Sequence, residues 1–133
     1  MNDAREVLIH VRRGDEFLVA HRTPESGGYW HTIAGGVEPG EEWETAAIRE
    51  LREETGLEAS RLGELGAFSY TPEVWEKARG PRVHVRGFLV DAPAGWEPLL
   101  NEEHDEYLWL GRAEAAELLF WPEPAKLLFS LGP

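Results

Sequence analysis

Residues 35–57 read GGVEPGEEWETAAIRELREETGL and place several glutamates on one turn and one helix. Acidic residues after Gly40 suit the positive end of a helix dipole, and Gly56 can adopt the left-handed conformation that ends a helix. The pattern therefore predicts a helix from Glu42 to Thr55. At about 100° per residue, four apolar side chains share one arc of this helix: Trp43, Ala47, Ile48 and Leu51.

The glutamates beside this arc repel one another. Glu50 is three residues from Glu53 and four from Glu54, and each such pair costs a few tenths of a kcal/mol in a helix. Arg49, four residues before Glu53, can relieve only part of the repulsion. A hard divalent cation would offset the rest, and the absence of cysteine and of nearby histidine favours Mg²⁺ or Mn²⁺ over zinc. The alternative is an amphipathic helix with a solvated acidic face.

The spacing resembles the signature of the Nudix hydrolase superfamily. That signature is a glycine, five residues, a glutamate, seven residues, and then Arg-Glu-apolar-any-Glu-Glu-any-Gly-apolar. Gly35, Glu41 and the run from Arg49 to Leu57 match it throughout. The resemblance implies an α/β (α+β) fold, an α/β/α sandwich with a central mixed β-sheet. It also implies hydrolysis of a nucleoside diphosphate linked to another group, with Mg²⁺ or Mn²⁺ as cofactor.

The resemblance also implies roles for residues of this segment. Arg49 would orient the carboxylates, and Glu41 would support them as a structural carboxylate. Glu53 is both a metal ligand and a candidate catalytic base. The metal ligands implied here are the carbonyl of Gly35 and the side chains of Glu50, Glu53 and Glu54.

Apolar or alternating segments on both sides of this helix predict strands. The predicted strands cover residues 6–11, 16–21, 30–34, 62–70, 82–91 and 107–110, and the predicted later helices cover residues 112–120 and 124–131. Strands around one central helix, closed by helices, indicate a mixed sheet covered by helices. With 133 residues, the chain is expected to form a single domain over residues 1–133.

The composition narrows the class of partner. A formal net charge of -12 argues against binding a nucleic-acid polymer, because affinity for phosphate backbones comes from lysine and arginine. The sequence has no long apolar run and no secretory leader, so we expect no membrane partner and a cytoplasmic location. A small nucleotide-like molecule is the expected partner, and a homodimer stays possible.

Several residues outside the helix are candidates for substrate binding. Tyr29 and Trp30 could stack a base, although core packing is the alternative for both. Arg22, Arg82 and Arg86 could bind phosphate oxygens, although surface ion pairs are the alternative.

The segment at residues 102–109, EEHDEYLW, resembles the acidic loop of nucleoside triphosphate-cleaving Nudix members, in particular the dihydroneopterin triphosphate pyrophosphatase type. The resemblance implies a further carboxylate here, for which Glu103 is the candidate as metal ligand and general base. A carboxylate already bound to a cation is a weak proton acceptor, which counts against Glu53 as the base.

The predicted function is Mg²⁺-dependent cleavage of the pyrophosphate bond of a nucleoside triphosphate or pterin triphosphate. One alternative is a pyrophosphatase for nucleoside diphosphate sugars of the ADP-ribose type. The other is a nucleotide-binding module without catalysis.

Overall fold

A computed structural model describes residues 3–72 and 81–131 of the chain. Within these residues the chain forms seven strands: β1 (Ala4–Arg13), β2 (Glu16–Arg22), β3 (Trp30–His31), β4 (Ile33–Gly36), β5 (Gly63–Tyr70), β6 (Val83–Asp91) and β7 (His104–Gly111). It also forms three α-helices: α1 (Trp43–Thr55), α2 (Arg112–Leu118) and α3 (Pro122–Leu128). Short 3-10 turns occupy Pro24–Ser26 and Phe129–Leu131.

Strand β1 lies at the centre of the sheet. It pairs in parallel with β6 and antiparallel with β4 from Glu6 to Ile9. It pairs with β2 only at Arg12 and Arg13, and β2 then pairs with β3 and β7. The sheet combines parallel and antiparallel pairs, which confirms the predicted mixed sheet.

Helices cover both faces of this sheet. Side chains of a strand alternate between its two faces, so Val7 and Ile9 of β1 pack with Leu51 of α1, whereas Leu8 packs with Leu127 of α3. The predicted α/β/α sandwich is therefore confirmed. In the described ranges, no helix is long and apolar enough to cross a membrane.

Thr32 divides the strand predicted at residues 30–34 into β3 and β4. Its buried hydroxyl donates to the carbonyl oxygen of Ile9 at 2.8 Å. The chain pairs with β2 before this residue and with β1 after it. Alternation of apolar residues does not reveal such a change of partner, because both short strands are apolar.

Helix α1 begins one residue later than predicted and ends as predicted. Gly56 has a φ of 81°, and its N–H donates to the carbonyl oxygen of Arg52 at 2.9 Å. This is the left-handed helix end that glycine favours. The carbonyl oxygen of Thr55 accepts the N–H of Leu99 at 2.9 Å, which ties the loop between β6 and β7 to the end of α1.

Candidate functional site

A bidentate ion pair joins the loop before α1 to the helix. Nε and Nη2 of Arg49 each donate to a carboxylate oxygen of Glu41 at 2.9 Å, and the N–H of Glu38 donates to the same carboxylate at 3.0 Å. The hydrogen bonds from Arg49, followed by that from Glu38, lower the pKa of Glu41 to about 2. The same pair raises the pKa of Arg49 above its usual range. Glu41 therefore stays ionised.

Arg49 also contacts oxygen atoms on both sides of the loop. Nη1 donates to Glu50 Oε1 at 2.9 Å and lies 3.4 Å from Glu53 Oε2, and Nη2 donates to the carbonyl oxygen of Gly36 at 2.9 Å. One guanidinium thus links β4 to two carboxylates of α1. This arrangement suits the orienting role predicted for Arg49.

At Gly35 the backbone of β4 lies directly against the carboxyl group of Glu50. A Cβ atom at this position would overlap the carboxyl group of Glu50. Only glycine allows the strand and the carboxylate to lie this close together. The structure therefore accounts for a glycine here and brings the Gly35 backbone against Glu50.

The carboxylate of Glu54 is buried and faces the carboxyl group of Glu50. Its side chain is 1% exposed, and neither carboxylate oxygen has a hydrogen-bond partner among the described residues. Burial, followed by the facing carboxyl group of Glu50, raises the pKa of Glu54 to about 10. Two facing carboxylates lack a donor unless one of them binds a proton or a cation lies between them.

These residues fit a hard divalent cation. The available donors are carboxylate and carbonyl oxygens, which Mg²⁺ and Mn²⁺ prefer, and the two oxygens of Glu54 accept no hydrogen bond from the described residues. In the described part of the chain, no three acidic or histidine side chains already converge on one point. Cation binding therefore requires a further carboxylate to move towards the facing pair of Glu50 and Glu54.

A cavity of about 430 Å³ lies beside Gly35 and Glu50. Its volume is within the range of small-molecule sites. The polar and aromatic residues of its wall include Arg22, Tyr29, His31, Glu103, Trp121 and Glu123.

Of the two aromatic residues predicted to bind substrate, Tyr29 and Trp30, only Tyr29 is among the described residues that line the cavity. Tyr29 lines it, and the ring centre of Tyr29 lies 5.7 Å from the guanidinium carbon of Arg22, which also lines it. Trp30 is not among the described lining residues. Its ring packs against His21 at 5.1 Å and joins the cluster beside α2.

Arg82 and Arg86 are likewise absent from the described wall of the cavity. Arg86 lies on the α1 face of the sheet, with its guanidinium carbon 4.7 Å from the ring centre of Trp43, and borders a separate groove of about 380 Å³. Arg82 is exposed, and its carbonyl oxygen accepts the N–H of Ala4 at 2.9 Å. The structure therefore groups only Arg22 of these three arginines with the carboxylates.

Glu103 lies in the cavity wall immediately before β7, which starts three residues earlier than predicted. Its N–H donates to Oδ1 of Asn101 at 3.1 Å, and its carbonyl oxygen accepts the N–H of Thr23 at 3.0 Å. After burial and Glu50, the negative charge of Glu103 further raises the pKa of Glu54. Folding thus brings this loop carboxylate near those of α1.

Two buried histidines lie on the same side of the sheet as α3. Burial lowers the pKa of His31, in the cavity wall, to about 3, and lowers that of His10 to about 4. Nε2 of His10 donates to the carbonyl oxygen of Pro124 at 2.9 Å. Both rings are therefore neutral near pH 7, and Arg22 is the cationic side chain in the described wall of the cavity.

Two aromatic residues beside Tyr29, Phe120 and Trp121, were absent from the sequence-based candidates. The ring centres of Tyr29 and Phe120 lie 5.4 Å apart, and those of Phe120 and Trp121 lie 4.8 Å apart. Phe120 is 61% exposed, and Glu123 two residues after Trp121 adds a carboxylate to the wall. The run FWPEP at residues 120–124 was the available signal, but aromatic residues beside a helix usually indicate core packing.

Curated relatives share sequence with most of this chain. The octanoyltransferase of Myxococcus xanthus is 37% identical over 115 residues, covering 85% of this chain and 32% of that protein. The NAD-capped RNA hydrolase NudC of Actinobacillus succinogenes is 34% identical over 108 residues, covering 77% of this chain and 38% of that protein. The chain thus spans about a third of the length of these relatives.

Solved structures and a family model match nearly the whole chain. The E. coli dihydroneopterin triphosphate pyrophosphohydrolase superposes with a TM-score of 0.79 at 22% identity, covering 96% of this chain and 94% of that one. The E. coli ORF135 protein superposes with a TM-score of 0.75 at 29% identity, covering 98% and 89%. The model described as NUDIX domain matches residues 3–131. The chain therefore belongs to the Nudix hydrolase family, as the pattern of residues 35–57 predicted.

Proposed function

We propose that this chain is a magnesium-dependent hydrolase that cleaves the pyrophosphate bond of a nucleoside triphosphate-like substrate. One observation carries the proposal: the buried carboxylate of Glu54, unpaired among the described residues, faces Glu50 beside a cavity of about 430 Å³. A site of this kind gains from a cation and leaves room for the molecule that the cation would bind. Nudix hydrolases generally use divalent metal ions, which agrees with the oxygen donors found here.

The metal ligands in this proposal are Glu50, Glu53, Glu54 and the carbonyl oxygen of Gly35. A divalent cation held there would supply charge stabilisation at phosphate oxygens and at the leaving phosphate. Arg49 orients Glu50 and Glu53 from its position against Glu41. Because Arg49 is itself bound to Glu41, its orientation is fixed before a cation binds.

Glu103 serves as the general base in this proposal. It lies in the cavity wall, and its loop is attached to Thr23 and Asn101 by hydrogen bonds. Its carboxylate is exposed and can take a proton from water at the substrate, whereas the ligand role of Glu53 makes it a weaker acceptor. Service as a further metal ligand is the alternative role of Glu103, and the base is then Glu53.

The cavity favours a substrate with one chain of phosphates and one flat ring. Arg22 is the cationic side chain of the described wall and lies near the carboxylates, so it suits phosphate oxygens. Tyr29 and Trp121 provide ring faces for stacking, and Glu123 can accept N–H groups from a ring edge. A nucleoside or pterin triphosphate has both parts.

Two alternatives follow from the same cavity. A nucleoside diphosphate sugar, or a dinucleotide such as the NAD cap named in the NudC relatives, would also place a pyrophosphate beside α1. A binding module without catalysis would retain the aromatic wall but has no need of three acidic residues on one helix. We also propose that one domain suffices for the reaction, that it takes place in the cytoplasm and that a homodimer, if formed, leaves the cavity open.

The proposal is tested by a cleavage screen with Mg²⁺ in large excess over the protein. The compounds are nucleoside triphosphates, pterin triphosphate, ADP-ribose, NAD and dinucleoside polyphosphates, with products identified by mass. Pyrophosphate release from a triphosphate, absent in Glu54→Gln, supports the proposal. Faster cleavage of ADP-ribose or NAD would replace the substrate class, and binding without cleavage of any compound would favour the binding module.

A further inference from the structure

Arg5 of β1 holds the turn that leads into α1. Its Nη1 donates to the carbonyl oxygen of Glu41, and its Nη2 donates to that of Glu38, each at 3.1 Å. The N–H of Glu41 donates to the carbonyl oxygen of Glu38 at 3.0 Å, so the arginine bridges both ends of one turn. The carbonyl oxygen of Arg5 also accepts the N–H of Val37 at 3.0 Å. Arg5 therefore attaches this turn to the sheet.

Arg5 also lies against the first residue of α1. Its guanidinium carbon is 5.3 Å from the ring centre of Trp43, a cation–π contact. Glu42, at the N-cap position, makes no side-chain capping hydrogen bond. The start of α1 therefore depends on tertiary contacts, and Arg5 supplies contacts to both the turn and the helix.

The turn held by Arg5 carries Glu41, and Glu41 holds Arg49 in its bidentate pair. Arg49 in turn donates to Glu50. We infer that Arg5 is a positioning residue for the metal-binding carboxylates and acts through Glu41 and Arg49. The inference rests on the proposed function, because it takes Glu50 and Glu54 as metal ligands.

The shape of the arginine side chain matters here as well as its charge. A guanidinium can donate two N–H groups in one plane while its face lies against an aromatic ring. A lysine ammonium is a point charge that cannot make all three contacts in this geometry. Arg5→Lys should therefore retain little of the positioning effect, which distinguishes it from long-range attraction between Arg5 and the carboxylates.

The test measures Mn²⁺ affinity of the whole chain without substrate, from the electron paramagnetic resonance signal of free Mn²⁺. Loss of groups that orient metal ligands typically weakens metal affinity 10- to 100-fold. We expect Arg5→Met and Arg5→Lys to weaken Mn²⁺ affinity by about tenfold, the lower end of that range. The matched control is Arg12→Met on the same strand, whose guanidinium pairs with Asp91 at 2.6 Å, and it should bind Mn²⁺ as the wild type does.

Non-additivity tests whether the effect passes through Glu41. If it does, Arg5→Met combined with Glu41→Gln should bind Mn²⁺ about as weakly as Glu41→Gln alone. Additive losses, or a lower melting temperature with unchanged Mn²⁺ affinity in Arg5→Met, would overturn the inference. Should Arg5→Met fail to fold, Arg5→Lys decides by the same criteria. No Mn²⁺ binding by the wild type would overturn the proposed function as well.

Discussion

Glu50 and Glu54 lie one helical turn apart on α1 and have opposite surroundings. The carboxylate of Glu50 is half-buried and accepts an N–H of Arg49 at 2.9 Å. The carboxylate of Glu54 is 1% exposed and accepts no hydrogen bond from the described residues. The protein therefore pairs the first carboxylate with its own arginine, whereas the second accepts no hydrogen bond from the residues that the structure describes.

The same face of α1 thus carries one carboxylate that is held by hydrogen bonds within the protein and one that is buried. The group around Arg49 is complete without a ligand, so it can set the position of the carboxylates before any cation binds. The buried carboxylate of Glu54 carries a desolvation cost that folding alone does not offset. Residues with such strongly shifted pKa values, next to a cavity, are typical of functional sites.

The largest expected effect comes from removing the charge of Glu54. Charge stabilisation by a metal ion is worth several kcal/mol, so Glu54→Gln should lower kcat by about 10³ to 10⁴, at 1.36 kcal/mol for each factor of ten. Without metal, the variant should be as stable as the wild type or more stable, because burial of Glu54 requires its carboxylate to take up a proton near pH 7, whereas glutamine is neutral at every pH. Steady-state kinetics and thermal melting measure both quantities.

The matched control for this variant is Glu58→Gln, an exposed glutamate just beyond α1. It should leave both kcat and stability unchanged. A clear loss of metal-free stability in Glu54→Gln would show that Glu54 has a structural partner, and the contrast with Glu50 would then fail.

The next largest effect is expected from removing the charge of Glu103, the carboxylate that the loop before β7 brings near Glu54. Glu103→Gln should lower kcat by roughly 10² to 10⁴, the range for general-base catalysis, with little change in KM or melting temperature. The control is Glu102→Gln, an exposed neighbour on the same loop. A kcat of Glu103→Gln within about threefold of the wild type at saturating Mg²⁺ would return the role of the base to Glu53.

His10 is a buried polar residue that, unlike Glu54, has a hydrogen-bond partner, the carbonyl oxygen of Pro124, and it serves as a reference for Glu54. The pKa of His10 is lowered by burial from 6.5 to about 4. Below pH 6.5 the unfolded chain takes up a proton that the native ring refuses, so stability falls as the pH falls towards 4. At about 1.36 kcal/mol for each pKa unit, His10 accounts for a loss of about 3 kcal/mol.

His10→Phe should remove that dependence, although His31 still contributes in the same direction. At pH 7 the variant loses the hydrogen bond to Pro124, and its deficit in stability should narrow as the pH falls. Urea unfolding measures the difference in stability between the variant and the wild type at three values, about pH 7, pH 5.5 and pH 4, which cover the range in which His10 would titrate. Parallel stability curves for the two proteins would show that His10 does not titrate on unfolding. Mg²⁺ should not alter the difference.

The smallest effect is stabilisation by the cation itself. Binding to the native state alone adds RT ln(1 + [L]/Kd), which is about 1.4 kcal/mol at ten times the Kd. For a chain of this size, we expect Mg²⁺ to raise the Tm of the wild type by about 4 °C and that of Glu54→Gln by much less. Equal shifts in both proteins would place the stabilising cation away from Glu54.

Sequence patterns predicted the positions of helices and strands better than they predicted which strands pair with one another. Both the helix over residues 43–55 and its glycine end follow from local rules, because dipole, periodicity and cap act within a few residues. The split of residues 30–34 at Thr32 could not be predicted in this way, since it depends on a hydrogen bond to Ile9. The predicted candidates Trp30 and Arg86 are not among the described residues that line the cavity. Strand pairing in the sheet decides which side of a strand faces the cavity, and local spacing does not reveal that pairing.

The sequence by itself determined the family, the mixed sandwich and the set of carboxylates on α1, since spacing along one helix places these side chains on neighbouring arcs. Only the tertiary structure decided which of them is buried, because burial of Glu54 depends on what packs over the helix. It also decided that Glu103, Arg22 and Trp121 share one cavity with Glu50. Such contacts join residues far apart in the chain, so local spacing carries no information about them.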